Sequence, residues 1–290
     1  MKYPHLDSRI ESVADRPVAE RVSYMLADRY VPYPKAEHVI AEVDWILKQE
    51  ATQRPKCELI IAEPGLGKTM LLNEIGRRLG SRGAGELARQ RPLVSISLAG
   101  VADLKVLFSR ALRALDSPFS MNDKVTAMYE QTCLSLRSAG TKILQLDELH
   151  NLLLARSRVG EAMAVIRDLA NLPVSLVCAG TIAAQICVSA DEQLRDRFRC
   201  HHLRPWMESD ETRNLLATLE SRLPLRLPSD LTSKRTFQMI VRMSNGHPRT
   251  MVAAIREAGR DALQEGDERI DRKRLKHSLQ RVLAEKFEAL

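Results

Sequence analysis

The chain has 290 residues, of which 44% are hydrophobic, enough for one large domain or two with a filled core, so a disordered or low-complexity protein is excluded. Lys and Arg number 44 against 37 acidic residues, a formal charge of +7, which suits a polyanionic partner such as nucleic acid, although solubility alone also explains such a balance. The five cysteines, Cys57, Cys133, Cys178, Cys187 and Cys200, are odd in number and lack paired spacing, which fits a reducing compartment and not a disulfide framework.

The first seventeen residues, MKYPHLDSRIESVADRP, carry charges throughout and lack the apolar stretch of a secretory signal. Residues 1–50 are expected to form a helical arm, with VAERVSYMLADRYV and HVIAEVDWILKQEA as helices on either side of Pro32-Tyr33-Pro34. Two prolines around an aromatic residue fix an extended turn there. Residues 51–205 alternate short apolar strands, expected at 58–62, 93–98, 142–147, 174–179 and 200–203, with stretches of helical spacing. That alternation predicts an α/β domain, a parallel sheet with helices on both faces. Past Pro205-Trp206 only helices are predicted, over 209–222, 233–244, 249–265 and 271–288, so residues 206–290 are expected to form a small all-helical domain. The uncharged stretch at 174–190 is too short and too rich in Gly, Ser, Thr and Gln to span a membrane. Cytoplasm is the default location.

Residues 62–69 read AEPGLGKT, with Ala62 where a phosphate-binding loop would carry glycine. An apolar strand precedes the loop and helical spacing follows it, the context that phosphate loops require. The loop from Glu63 and Pro64 through Gly65, Leu66, Gly67, Lys68, Thr69 and Met70 is expected to surround the phosphates with its backbone N–H groups, with the Lys68 side chain reaching the β- and γ-phosphates. Ala62 lies before the wrap begins, so its methyl group is tolerated if its φ is negative. KILQLDELHNLL, residues 142–153, delivers Asp147 and Glu148 at the carboxyl end of a buried strand, the edge where open parallel sheets bind ligands. Asp147 and Thr69 are expected to hold Mg²⁺, and Glu148 to orient or deprotonate the attacking water. Together these features predict an ATP or GTP site.

Further along, Thr181 ends VSLVCAGT, where its hydroxyl is suited either to the γ-phosphate or water, or to capping the next helix. Arg195 and Arg197 in DEQLRDRF stand at the end of the sheet away from the phosphate loop and are candidates to complete a neighbouring subunit's site as an arginine finger, Arg197 first. Arg249 in NGHPRTM opens a helix from which it could fold onto phosphates, or remain a surface arginine. The run Cys200-His201-His202 has no Cys-x-x-Cys partner and reads as a buried strand end ahead of a metal site.

These segments resemble the AAA+ ATPases, and more closely the TniB/TnsC family of transposition ATPases. ADRYVPYPKAEHVIAEVDWIL resembles that family's arm, LDELHNLL its aspartate-glutamate strand, VCAGT its fourth strand, and DEQLRDRF with LRPWMESDETRNLLATLESRLPLRLPS its passage into the lid, so the likeness spans residues 20 to 270. The resemblance implies an AAA+ P-loop NTPase with sheet order 5-1-4-3-2 and a helical lid. It implies an ATPase using ATP and Mg²⁺ that binds duplex DNA without sequence specificity, assembles as a ring or helical filament, and recruits or activates a DDE transposase beside a TniQ-like targeting protein. Such a protein would be bacterial, cytoplasmic, nucleoid-associated when on DNA, and without a membrane partner. By the same likeness Tyr33 and Pro34 flank the adenine, while Arg249 comes from the wider AAA+ pattern. The segment at 99–113 would lie nearest a central pore, where Lys105 and Arg110, with Lys124 beyond, are candidates for DNA phosphates; a solvated helix face is the alternative. Two other functions compete. One is a scaffold using ATP only for assembly. The other is an origin-initiator-like ATPase, which shares the GxPR arginine but usually appends a winged-helix domain, for which the stretch beyond the third lid helix is expected to be too short.

Overall fold

The structure, a computed structural model, describes residues 2–50, 54–80, 90–100, 103–153 and 159–288. It divides into two compact units, one of Met1–Pro34 with Arg204–Leu290 and one of Lys35–Leu203. The chain opens in the first unit with α1 (Ser8–Ala14), whose first turn is capped by the Asp7 carboxylate accepting from Arg9 N, and α2 (Val18–Leu26), which starts after Pro17. With α3 (Pro34–Lys48) it passes into the second unit. There follow β1 (Cys57–Ile61), α4 (Lys68–Leu79), β2 (Leu93–Ser97), α5 (Leu104–Ala114), α6 (Val125–Ser138), β3 (Ile143–Asp147), α7 (Leu149–Leu153), α8 (Val159–Asn171), β4 (Ser175–Gly180), α9 (Ile182–Ala190), α10 (Glu192–Arg195) and β5 (Phe198–His202). The chain then returns to the first unit as α11 (Asp210–Glu220), α12 (Lys234–Ser244), α13 (Pro248–Gln264) and α14 (Arg272–Glu288).

Every strand pairing is parallel, and the strands run β2-β3-β4-β1-β5, the expected order read from the other edge. Strands β1, β3 and β4 are buried at every residue, whereas the edge strands β2 and β5 alternate buried and exposed positions. This is the pattern of a sheet covered on both faces, in which only the central strands are buried along their whole length. On one face Leu59, Ile61, Leu144 and Leu146 pack in a core with Phe108 of α5, Met128 of α6 and Ile166 of α8. The other face is partly polar. Glu58 and His201 are buried there with Oε2 and Nε2 2.6 Å apart, so His201 is the buried strand-end residue that the sequence suggested. Gln145 is buried too, beneath Gly76 of α4, and its amide makes no hydrogen bond among the described residues. β5 starts two residues earlier than expected, because Phe198 already pairs with Cys57.

The arm expected over residues 1–50 is divided between the units. Helix α3 belongs with the sheet: Arg78 of α4 binds Glu37 at 2.7 Å, and the Lys142 ammonium donates to the carbonyls of Leu47 and Gln49. Helix α2 belongs with the C-terminal helices, where Met25 joins a core of Leu216, Phe237, Ile240, Met251, Ile255, Leu275 and Leu279. Gly259 permits this approach, since a Cβ there would lie 2.5 Å from Met25 Sδ. The boundary between the units therefore falls at Pro34 and not at residue 50.

A second device fixes α2 in place. The Arg21 side chain is 1% exposed; its Nε and Nη2 donate to Pro224 O at 2.9 and 2.6 Å, and its Nη1 donates to Glu268 Oε1 at 3.0 Å. Burial alone would raise the Glu268 pKa, but hydrogen bonds from Arg21 and from Arg226 N outweigh it and hold the carboxyl below its ordinary value. Arg21→Ala should therefore cost about 3–5 kcal/mol in chemical denaturation, because it strands a partly buried carboxylate and a carbonyl. A depressed pKa contributes stability that is complete above the unfolded-state value and disappears as pH falls through the folded one. The gap between wild type and Arg21→Ala should accordingly be widest near neutrality and shrink on acidification below the ordinary glutamate range, measured as denaturant midpoints across pH.

Candidate nucleotide site

The site grows from the carboxyl end of the sheet. β1 delivers Ala62, whose N–H donates to Gly180 O of β4 at 3.1 Å and whose φ is not positive, so the alanine continues the strand and the turn begins after it. Gly65 and Gly67 have φ of 83° and 93°, conformations that a side chain resists. Gly67 occupies the N-cap of α4 without a side-chain acceptor, and a Cβ built on it would meet nothing within 4 Å. The loop thus presents open space over the N–H groups of a helix start, which is a setting for an anion. Leu66 anchors the loop by burial, while Glu63 and Pro64 are exposed and Met70 is half-buried.

Lys68 is 5% exposed, and its ammonium donates to Ala62 O at 3.0 Å and Glu63 O at 3.3 Å, so it is held inside the curve of the loop. Thr69, next along, donates its hydroxyl to Asp147 Oδ2 at 2.7 Å. Because β3 and β1 flank β4 in register, the topology brings this hydroxyl and this carboxylate together across 78 positions of sequence. Two oxygens of these types at this separation fit a hard divalent cation such as Mg²⁺.

Glu148 stands one residue beyond. Its N–H donates to Asp147 Oδ1 at 2.9 Å, and its φ is +59°, the left-handed region that a glutamate rarely adopts. His150 Nε2 lies 3.2 Å from Glu148 Oε2, and His150 Nδ1 is buried with no partner among the described residues. His150 is a residue that the sequence reading passed over although it sits in LDELHNLL; spacing gives no sign that the two side chains meet. Thr181 is at the N-cap of α9, but its side chain makes no cap hydrogen bond, which leaves the hydroxyl for another partner.

The remaining candidates lie elsewhere. Arg195 and Arg197 precede β5, at the amino end of the sheet and opposite the loop, where Arg197 O accepts from Cys57 N. They differ in freedom: the Arg197 guanidinium is bound to Ala170 O, whereas the Arg195 side chain is 57% exposed with its nearest carboxylates at 3.7 and 4.0 Å. In the other unit Tyr33 packs edge-on against Trp206 with ring centroids 5.7 Å apart, and burial pushes its phenol up to about 12. Pro34 opens α3, and Arg249 is exposed in the first turn of α13. Of the DNA candidates, Arg110 donates to Ser97 O at 2.5 Å and Ala99 O at 3.2 Å, so its guanidinium closes the end of β2. Lys105 is half-buried in the first turn of α5, and Lys124 is exposed at the N-cap of α6. Residues 101 and 102 of the expected pore segment lie outside the described residues.

The sequence profile of a family described as "Bacterial TniB protein" matches residues 21–208. No curated protein sequence matches the chain significantly. Among solved structures, the chain is similar to the Aeropyrum pernix ORC1 protein in complex with DNA, at 18% identity and TM-score 0.67, over 90% of this chain and 69% of that one. It is similar to the Aeropyrum pernix ORC2 protein in ADPNP-ADP complexes at 14% identity and TM-score 0.65, over 89% and 71%. Domain III of the Thermotoga maritima replication initiation protein DnaA matches at 18% identity and TM-score 0.57, over 87% and 94%. At such identities the likeness establishes the fold alone, a parallel sheet with helices on both faces followed by C-terminal helices.

The backbone at Glu148 yields a test independent of any activity. Glu148→Ala keeps a side chain in the left-handed region, whereas Glu148→Gly relieves it, so the glycine variant should be more stable than the alanine variant by about 1 kcal/mol. Equal melting temperatures for the two would remove the strain from position 148.

Proposed function

Because the chain belongs to the TniB family, we propose that it is an ATPase that assembles on duplex DNA and serves target selection in DNA transposition. One observation supports the ATPase reading above the others: the Thr69 hydroxyl 2.7 Å from the Asp147 carboxylate, directly behind a glycine loop and Lys68. A magnesium ion, when bound, would neutralise charge on the β- and γ-phosphates; Thr69 and Asp147 are the residues that would hold it. Lys68 exchanges its two carbonyls for phosphate oxygens, and the loop N–H groups from Glu63 to Met70 surround the same charge. Glu148, steadied by His150, takes a proton from water as the water oxygen attacks the γ-phosphorus and the bond to the bridging oxygen breaks. Thr181 donates to the γ-phosphate or to that water. The presence of Glu148 favours turnover over a scaffold that uses ATP for assembly alone.

A subunit's own arginines at the amino end of its sheet cannot reach its own loop, so the finger is supplied by a neighbour. Arg195, exposed and weakly paired, takes this role in our reading, and Arg197 holds the end of α8. Tyr33 and Pro34 as adenine contacts and Arg249 as a phosphate contact are carried over from the resemblance. Among the DNA candidates, Lys105 and Lys124 are preferred to Arg110, whose guanidinium already serves two carbonyls. The ORC1 structure to which the chain is similar is in complex with DNA, which adds support for a DNA partner; a DDE transposase and a TniQ-like protein follow from the family. No helix among the described residues is long and apolar enough to cross a membrane; a cytoplasmic location, with the nucleoid joined on DNA binding, is carried over from the resemblance.

Lys68→Ala should abolish ATP binding by calorimetry and, with it, ATP-dependent assembly on DNA. Glu148→Gln should bind ATP with unchanged affinity and hydrolyse it roughly a hundredfold more slowly, and its DNA complexes should outlive those of the wild type. Wild-type affinity in the first variant, or wild-type turnover in the second, would falsify the assignment.

Arg195→Ala should bind ATP normally but lose turnover, and mixing it with Lys68→Ala protein should restore part of the activity, since one supplies the pocket and the other the arginine. Arg197→Ala should instead lower the melting temperature. Failure of two co-assembling mutants to complement counts against a site shared between subunits.

A further inference from the structure

The first unit carries a cleft of about 510 Å³ between the start of α12 and the start of α14. Lys234, Arg235, Arg269 and Arg272 line it, all exposed and none with a hydrogen bond or ion pair among the described residues. This sets them apart from Arg274 and Arg281 of α14, which bind Glu265, Asp267 and Asp271, and Glu257 and Asp261, respectively. Two carboxylates also line the cleft, Asp230 and Asp271. Asp271 is engaged by Arg274 through both its backbone N–H and its guanidinium, so the cations there outnumber the free carboxylate. Ser233 at the N-cap of α12 makes no cap hydrogen bond, its hydroxyl donating instead to Thr236 Oγ1, and the first-turn N–H groups add to the positive field.

We infer that this cleft binds the phosphate backbone of duplex DNA. The charge does not stop at its rim. Arg272 and Lys276, both exposed, follow four residues apart on one face of α14, about 6 Å along the helix axis, close to two base-pair rises of about 3.4 Å. Four cations line the cleft and Lys276 lies beyond it, more positive charge than a single small anion would neutralise, which points to a polyanion. Three of the four lining cations are arginines, whose planar guanidinium matches phosphate oxygens. No aromatic residue lines the cleft, so bases have nothing to stack on and the binding is indifferent to sequence.

The inference rests on the reading that the protein binds DNA, and the test separates the two. Anisotropy of a labelled random duplex is followed across salt concentrations with the full chain, magnesium and a non-hydrolysable ATP analogue. Replacing Lys234, Arg235, Arg269 and Arg272 together by Ala should weaken binding at least tenfold near 0.15 M salt and make the log–log salt slope shallower by about 0.9 for each phosphate that the variant no longer neutralises. ATP affinity should be unchanged, and the charge-conserving variant Arg235→Lys, Arg269→Lys, Arg272→Lys should keep the wild-type slope. If the quadruple variant melts early, Arg235→Gln with Arg272→Gln should still lower the slope by about 2. An unchanged slope and affinity would overturn the inference while leaving DNA binding intact, and would make the cleft a seat for an acidic protein segment. A wild-type protein that does not bind the duplex overturns both.

Discussion

Everything in the candidate site depends on β1 being held between β4 and β5 in a wholly parallel sheet. The register is fixed at both sides of the strand's end: Ala62 N donates to Gly180 O, and Leu203 N donates to Ile61 O. Parallel strands all finish at one edge, so the loop after β1, the carboxylates after β3 and the threonine after β4 arrive at one place without any of them being near in sequence. A slip of one residue in β1 would turn Leu59 and Ile61 from the apolar core toward Gln145 and His201, and would move Thr69 away from Asp147. The chemistry of the site and the packing of the core are therefore set by the same hydrogen bonds.

The other unit has a comparable centre in residues 223–229, LPLRLPS. Glu220 accepts from the N–H groups of Ser229, Asp230 and Leu231 at 2.7 to 2.9 Å. Pro224 O receives Arg21, Leu227 N donates to Glu268 O, and Ser229 Oγ accepts from Ile270 N at 2.9 Å. An irregular segment has polar backbone groups that must be satisfied if it is to be held in one conformation, and here the satisfying groups come from α2, α11 and the turn before α14. Helix α2 and this stretch thus meet through Arg21.

The sheet was legible because its strands are short apolar runs separated by helical spacing, and the central ones cannot be anything but dry. Strand ends were legible only to within two residues, since the first pair of β5 depends on Phe198 meeting Cys57. That the loop and Asp147 would meet was legible because parallel strands bring their ends to one edge, where Thr69 reaches Asp147. What stayed hidden depends on contacts that spacing does not encode. Arg195 and Arg197 look alike in DEQLRDRF, and one carbonyl, Ala170 O, separates them. Arg110 looks like a free cation until the end of β2 supplies Ser97 O and Ala99 O. The division of the arm at Pro34 follows from Arg21 and Met25 finding partners far along the chain. The cations of the cleft come from two helix starts brought together only by folding.

The left-handed backbone at Glu148 bears on how such a protein changes over generations. Folding free energy favours glycine or asparagine at that position, while the turnover we propose would need the carboxylate. On that proposal, random substitution would be drawn by stability toward a protein that could still grip its nucleotide but could no longer let go. A lineage relieved of the need to recycle would lose hydrolysis first, and would lose it without becoming fragile.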